Sequence, residues 1–223
     1  MGLARAGMAQ HGLAVFAHEQ TKGKGQRNKA WVSESGKNLA ISVIVEPQVL
    51  SLSQSFLLSM ATAVAVHRFF SKYAGPETKV KWPNDLYWRD RKAGGILIEN
   101  IVQGSEWKTA IIGIGININQ TQFDDLDTRA VSLKQITGKD YNPVDLAKEL
   151  CGNLQAAFTL VRKLPTEVAE LYRKQLYKLD ESVRLKHGTR VFDAVIKDVS
   201  TLGELIVEHA TEERFNVGEL EWV

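Results

Sequence analysis

Apolar and polar positions follow three rhythms along this chain, and each rhythm predicts a different kind of element. A weak apolar stripe (Leu3, Ala6, Met8, Ala9) predicts a helix over 1–10, broken by Gly12. Residues 13–17 are a short unbroken apolar run, read as a buried strand that delivers Glu19 and Gln20 to the loop after it. Gly36-Lys37-Asn38 is a turn, and the β-branched run over 39–45 predicts a second strand. Between 52 and 73 the period becomes helical, with Phe56, Met60, Val64 and His67 on one stripe and Gly75-Pro76 as the stop. Strand character resumes over 78–82, is interrupted by Pro83-Asn84-Asp85, and returns over 96–102 and 107–116 around a Gly104-Ser105 hairpin turn. A polar stretch with Asp124, Asp125 and Asp127 predicts a surface excursion. Asn142 can cap a helix that has Pro143 at its first position and runs to about Arg162. Pro165 starts another helix, expected to end near Leu179. From Glu181 the segments are short and alternating, with turns expected at His187-Gly188, Leu202-Gly203 and Glu212-Glu213, the pattern of a small antiparallel unit of about five strands.

The predicted class is therefore α/β (α+β): a mainly antiparallel mixed sheet flanked by helices over 1–180, then a small β-barrel-like domain over 181–223. A chain of 223 residues with 44% apolar and 24% charged residues has the ordinary make-up of a globular protein with a full core. A formal net charge of +2 argues against a dedicated nucleic-acid binder. Cys151 is the single cysteine, which excludes an internal disulfide and a Cys-based zinc cluster. No apolar run approaches the roughly 18 residues of a membrane span, and no signal peptide opens the chain, so the cytoplasm is the expected compartment.

Four stretches carry candidate chemistry. The first is Glu19 through Trp31, in which Gly23 and Gly25 open the backbone while Lys22, Lys24, Arg27 and Lys29 crowd it with charge. Such a loop is either solvated or folded over an anion. Lys81-Trp82-Pro83-Asn84-Asp85 ends a strand on an amide and a carboxylate, and taken alone it is a common turn. Lys92-Ala93-Gly94-Gly95-Ile96-Leu97-Ile98-Glu99 puts a lysine before two glycines and a strand, which alone reads as a hairpin loop with a solvated lysine. Gly113-Ile114-Gly115-Ile116-Asn117-Ile118-Asn119 alternates small residues with isoleucine, as in a strand whose glycines admit another element.

Together and in this order, the four stretches resemble the catalytic domain of biotin protein ligases, with their glutamine followed by a GRGRxGRxW-like loop, KWPND, K-x-x-G-I-L-x-E and G-x-G-x-N-x-N. The resemblance covers nearly the whole chain. It implies a class II aminoacyl-tRNA-synthetase-like sheet followed by an SH3-like barrel. It further implies a two-step reaction, in which biotin and Mg-ATP give biotinoyl-5′-AMP and a lysine of a biotin carboxyl carrier domain then takes the biotinoyl group. Two anions must meet in the first step, and Lys24, Arg27, Lys29 and Lys92 are the cations that could offset their repulsion. On the matched positions, Lys92 would bridge carboxylate and α-phosphate. Gln20, Gly25 and Gln26 would meet biotin, Trp31 would wall its slot, and Gly115 would let it lie against the backbone. Asp85 would orient the incoming amine or accept its proton. Lys29, Lys81, Asn84, Asn117 and Asn119 would serve the nucleotide, with Mg2+ carried by ATP and no metal motif in the chain.

The implied partner is the carrier domain of a biotin-dependent carboxylase, with no nucleic acid or membrane involved and the protein a monomer or homodimer. Lys24 and Gln26 stand where arginines are usual, and Asn28 where a glycine is. Met1-Gly2-Leu3-Ala4-Arg5 lacks the upstream Ser/Thr-Asn segment that helps bind biotin in the family, so weakened biotin binding is expected. No DNA-binding helix-turn-helix is seen, so no repressor role is expected. A lipoate or octanoate ligase of the same fold, and a module that binds without turnover, are the competing readings.

Overall fold

The computed structural model describes residues 10–26, 30–47, 50–123 and 129–223. The helix expected over 1–10, apart from Gln10, and the excursion at Asp124, Asp125 and Asp127 lie outside the described residues.

The alternating runs of the first 116 residues form one sheet. Its strands are β1 (Ala14–Phe16), β2 (Leu39–Val45), β3 (Thr78–Lys81), β4 (Asp85–Trp88), β5 (Arg91–Gln103) and β6 (Glu106–Ile116). They lie in the order β1-β2-β6-β5-β4-β3, and every ladder is antiparallel. Parallel pairing is confined to isolated bridges such as Val80 with Leu176 and Lys92 with Ala130. Because side chains alternate between faces, Leu39, Ile41, Val43, Ile112, Ile114 and Ile116 bury one face under the helices. The other face carries the small residues Ala40, Ser42, Gly113, Gly115 and Gly95.

Three longer helices cover the apolar face. A 3-10 turn (Leu52–Gln54) leads into α1 (Ser55–Ala74), whose Leu57, Leu58, Met60, Phe69 and Phe70 are buried. The short α2 (Leu133–Thr137) was not anticipated; Ser132 and Gln135 close a capping box at its start. In α3 (Pro143–Lys163) the Asn142 side chain accepts from the amides of Val144 and Asp145, the expected cap. The last helix, α4 (Pro165–Lys174), stops five residues before the expected Leu179. There the chain leaves the helix to pair with β3, the Val80 amide donating to Gln175 and the Tyr177 amide to Val80.

Three more expectations need correction. β1 is an exposed edge strand rather than a buried one, since Ala14 and Val15 face solvent. The Lys92 stretch is not a hairpin loop: β5 already starts at Arg91, because Lys92 is bonded on its outer side to residues 129 and 131. The turn expected at Glu212-Glu213 lies instead at Ala210, whose φ is 59°.

The C-terminal strands are β7 (Ser182–His187), β8 (Arg190–Val199), β9 (Leu205–His209), β10 (Thr211–Phe215) and β11 (Leu220–Trp222). They make an open antiparallel sheet in the order β10-β9-β8-β7-β11, as expected of a small SH3-like unit. Leu185, Phe192, Ile196, Leu205, Val207, Phe215 and Leu220 form its buried side. The connector after α4 bridges to it through Leu179 and Ile196, and the Trp82 indole, next to β3, donates to the Gly203 carbonyl at 3.0 Å.

Candidate active site

The strand register builds the floor of a cleft. Ala40 on β2 faces Gly115 on β6, Gly115 faces Gly95 on β5, and Gly95 faces Asp85 on β4. Side chains are nearly absent from this row, so an open cleft of about 830 Å³ remains above it. Gly94 packs so closely on β6 that an added methyl would lie 2.6 Å from the Gly115 carbonyl oxygen. Gly94 thus serves close strand contact, not a loop.

The glycine–lysine loop forms one wall. Lys24 bridges to Ala30, and the Trp31 amide donates to the Gly23 carbonyl at 3.0 Å, so residues 23–24 lie paired with 30–31. Its end lays the Trp31 ring on Gly115, where a methyl would come within 2.6 Å of the indole. The buried Trp31 indole nitrogen has no hydrogen-bond partner among the described residues. Gln20, Lys24, Gly25 and Gln26 line the cleft, while Arg27, Asn28 and Lys29 lie outside the described residues.

Across from the loop stand the charges. Lys92 Nζ sits 2.9 Å from Asp85 Oδ1, with both side chains about three-quarters shielded from solvent. The Asn84 side-chain amide donates to the Ile96 carbonyl and ties the β3–β4 turn to β5. Asn117 is buried, its amide donating to Val131 at 3.3 Å. Lys81 lines the cleft beside this group. Burial pushes its ammonium down to about 8; Asp85 and Asp90 oppose that shift, and Arg129 and Lys92 add to it.

Eleven of the candidate residues thus share one cleft: Gln20, Lys24, Gly25, Gln26, Trp31, Lys81, Asn84, Asp85, Lys92, Gly115 and Asn117. Asn119 is not brought into it. Its side-chain amide donates to the Tyr141 carbonyl and its oxygen accepts the Tyr141 amide, fastening the chain after β6 to the start of α3. The cleft also holds residues that sequence reasoning did not name. Tyr87 follows Asp85 by two on β4 and so shares its face, a signal the strand period could have supplied. Gln120, which accepts from Asn38 and the Glu34 amide, and Trp222 from the far end of the chain gave no such signal.

Concave shape, a bare apolar floor and convergent lysines suit a ligand with one apolar and one anionic part. Comparison with known proteins narrows the class. The model of the biotin/lipoate A/B protein ligase family matches residues 4–117. The bifunctional ligase/repressor BirA of Bacillus spizizenii is 37% identical over 134 residues, which is 59% of this chain and 41% of that protein. The chain therefore spans about two fifths of that relative's length. The biotin–[acetyl-CoA-carboxylase] ligase of Paracoccus denitrificans is 28% identical over 202 residues, covering 86% of this chain and 82% of its own. The biotin protein ligase of Aquifex aeolicus, solved with biotin and ATP, superposes with a TM-score of 0.81 at 24% identity, over 96% of this chain and 91% of that one. At that identity the likeness shows the fold. The matched 4–117 stretch is more than half of the chain and contains the sheet whose glycine row floors the cleft, and on this ground the protein belongs to the biotin/lipoate A/B protein ligase family.

Proposed function

We propose that this protein is an ATP-dependent biotin–protein ligase acting on a lysine of a biotin carboxyl carrier domain. The observation that carries the reading is the Lys92–Asp85 ion pair, set over a side-chain-free floor and faced by Lys24 and Trp31. The names of the relatives point to the same substrates.

In the first step a biotin carboxylate oxygen attacks the α-phosphorus of Mg-ATP and pyrophosphate leaves. Carboxylate and triphosphate repel each other, and Lys92 and Lys24 reduce that cost where both anions must lie. Lys92 then exchanges Asp85 for phosphate and carboxylate oxygens, which frees the Asp85 carboxylate. In the second step the carrier lysine attacks the acyl carbon of the mixed anhydride and AMP departs. A lysine of ordinary pKa is about 99.9% protonated at pH 7, so the released Asp85 is the group suited to orient the amine and take its proton. The apolar slot between Trp31 and Gly115 suits the fused rings and aliphatic tail of biotin.

The test is mass spectrometry of a carrier domain incubated with this protein, Mg-ATP and either biotin or lipoate. A gain of one biotinoyl group that needs ATP supports the reading. A gain with lipoate alone moves the chain to the other branch of its family, and release of pyrophosphate without transfer leaves a ligand-activating protein with another acceptor.

A further inference from the structure

The C-terminal sheet contributes directly to the cleft. Trp222, on the three-residue strand β11, lines it together with Val217, Gly218 and Leu220. Its ring lies 4.6 Å from Lys81 Nζ. Two further rings complete the enclosure: Tyr87 from β4, 4.8 Å from the same nitrogen, and Tyr177 from the connector before β7, at 5.7 Å. Tyr177 and Trp222 also pack on each other, with ring centroids 5.9 Å apart. Rings at these distances attract an ammonium through their quadrupoles and limit the directions in which a long lysine can swing.

The Trp222 indole nitrogen is buried without a hydrogen-bond partner among the described residues. Burying an indole donor unpaired costs stability, so the position is not explained by hydrogen bonding of the fold. The face of the ring, set against Lys81, is what the position provides.

We propose that Trp222 is a positioning residue: through Lys81 it holds a cation at the place in the cleft where the nucleotide's phosphates lie. The proposal rests on the ligase reading and extends it, since it makes the C-terminal sheet part of the nucleotide site rather than an appendage. Burial holds Lys81 near 8, so the lysine is mostly charged at neutral pH and poorly solvated, and it gains from an incoming anion. The charged groups around it are Asp85 on β4, Lys92 on β5, Asp90 in the β4–β5 turn and Arg129 before Ala130. Arg129 and Lys92 oppose the ammonium, so only an anion arriving in the cleft relieves all three cations together.

The experiment is calorimetry on the full chain, titrating separately with biotin and with a magnesium-bound ATP analogue whose α,β-bridge is methylene, which cannot be cleaved at the reacting bond. Trp222→Ala should weaken the nucleotide analogue by roughly tenfold, the size of one charge-assisted contact, while biotin stays within about twofold. Trp222→Phe, which keeps a ring face, should recover most of that loss. In a Lys81→Met background, Trp222→Ala should have no further effect on the nucleotide. The positioning role is overturned if Trp222→Ala weakens both ligands equally, if its loss adds to that of Lys81→Met, or if the nucleotide binds as in the parent. A parent chain that binds neither biotin nor nucleotide overturns the ligase reading, and this inference with it. Should Trp222→Ala not fold, Trp222→Phe against Trp222→Leu, equal in apolar character but without a quadrupole, gives the same contrast.

Discussion

Lys92 and Asp85 meet over the backbone of Gly95. A methyl at Gly95 would lie 3.3 Å from Asp85 Oδ1 and 3.8 Å from Lys92 Nζ, so the ion pair occupies the space that glycine leaves vacant. Strand β5 thus supplies both a partner to the pair and the room for it. The pair is partly solvated and contributes only about 0–1 kcal/mol to folding, which leaves its position to be explained by chemistry.

That separation of roles makes Lys92→Ala informative. ATP-dependent turnover should fall by roughly 10²–10³, the usual cost of removing a cation from developing negative charge. The melting temperature should change much less than turnover, because the pair, though about three-quarters shielded, opens on the solvent-filled cleft and holds little stability. A variant that keeps most of its pyrophosphate release would reduce Lys92 to a surface lysine and remove the basis of the proposed mechanism.

The contact of Trp31 with Gly115 yields a paired test. In Gly115→Ala the new methyl would stand 2.6 Å from the indole, so the ring must leave the floor. Gly113→Ala, two residues earlier on the same face, meets Leu97 at ordinary contact distances, its carbonyl oxygen at 3.5 Å and its Cβ at 4.0 Å. Binding of the apolar ligand should weaken about tenfold or more in the first variant, equivalent to the 1–3 kcal/mol of an overpacked site, and hardly at all in the second. Trp31 emission, read after replacing the other tryptophans singly by phenylalanine, should shift only in Gly115→Ala. Equal effects of the two substitutions would mean that the ring is not what walls the slot.

How legible this was in the sequence depended on distance along the chain. The strand pairing of 96–102 with 107–116 is a local consequence of their apolar patterning and could be read directly, whereas Gly94 and Gly95 read as a loop although β5 already includes them. Helix α3 was readable too, because Asn142 and Pro143 form a start signal that needs no tertiary help. The error at α4 had another source: its apolar pattern continues to Leu179, but pairing of Val80 with 175–177 wins over the last helical turn. Lys92 read as a loop residue because the segment that holds it on its outer side, residues 129–131, makes only an isolated bridge and has no sequence signal of its own. The cage around Lys81 was invisible for the same reason, since Trp222 lies 141 positions away in the chain. Asn119 looked equivalent to Asn117 by spacing, yet only Asn117 lies in the cleft, while Asn119 is bonded to Tyr141.

Lys81 gives a pH dependence with a definite sign. Its ammonium titrates near 8 in the folded protein, below the ordinary 10.5, chiefly because it is buried. Below that pH it is charged and attracts phosphate, and above it the attraction is lost. Nucleotide affinity should therefore fall as pH rises through about 8, and Lys81→Arg, which stays charged, should flatten the profile. For folding the sign is opposite. Between about 8 and 10.5 the unfolded chain binds more protons at this site than the folded one, so this lysine's contribution to stability rises with pH across that window. Calorimetric titrations at pH 7 and pH 9 check the binding arm, and a profile identical in the parent and Lys81→Arg would assign the dependence to another group.

The junction of the two sheets rests on Gly203, and the residue before the tryptophan it binds is Lys81. Gly203 has a φ of 96°, in the left-handed region, and its carbonyl accepts the Trp82 indole at 3.0 Å. A side chain there would also collide with the Phe56 ring at the start of α1. Gly203→Ala therefore combines backbone strain with overpacking and should cost roughly 1–3 kcal/mol. Trp82→Phe removes only the hydrogen bond and some buried area, at about 1–2 kcal/mol, while leaving the Gly203 backbone relaxed. Urea unfolding separates the two by midpoint. Because Trp82 is adjacent to Lys81, both variants should also weaken the nucleotide more than biotin. If Gly203→Ala unfolds at the parent's midpoint, the turn at 202–203 is free to move and the Trp82 contact does not hold the sheets together.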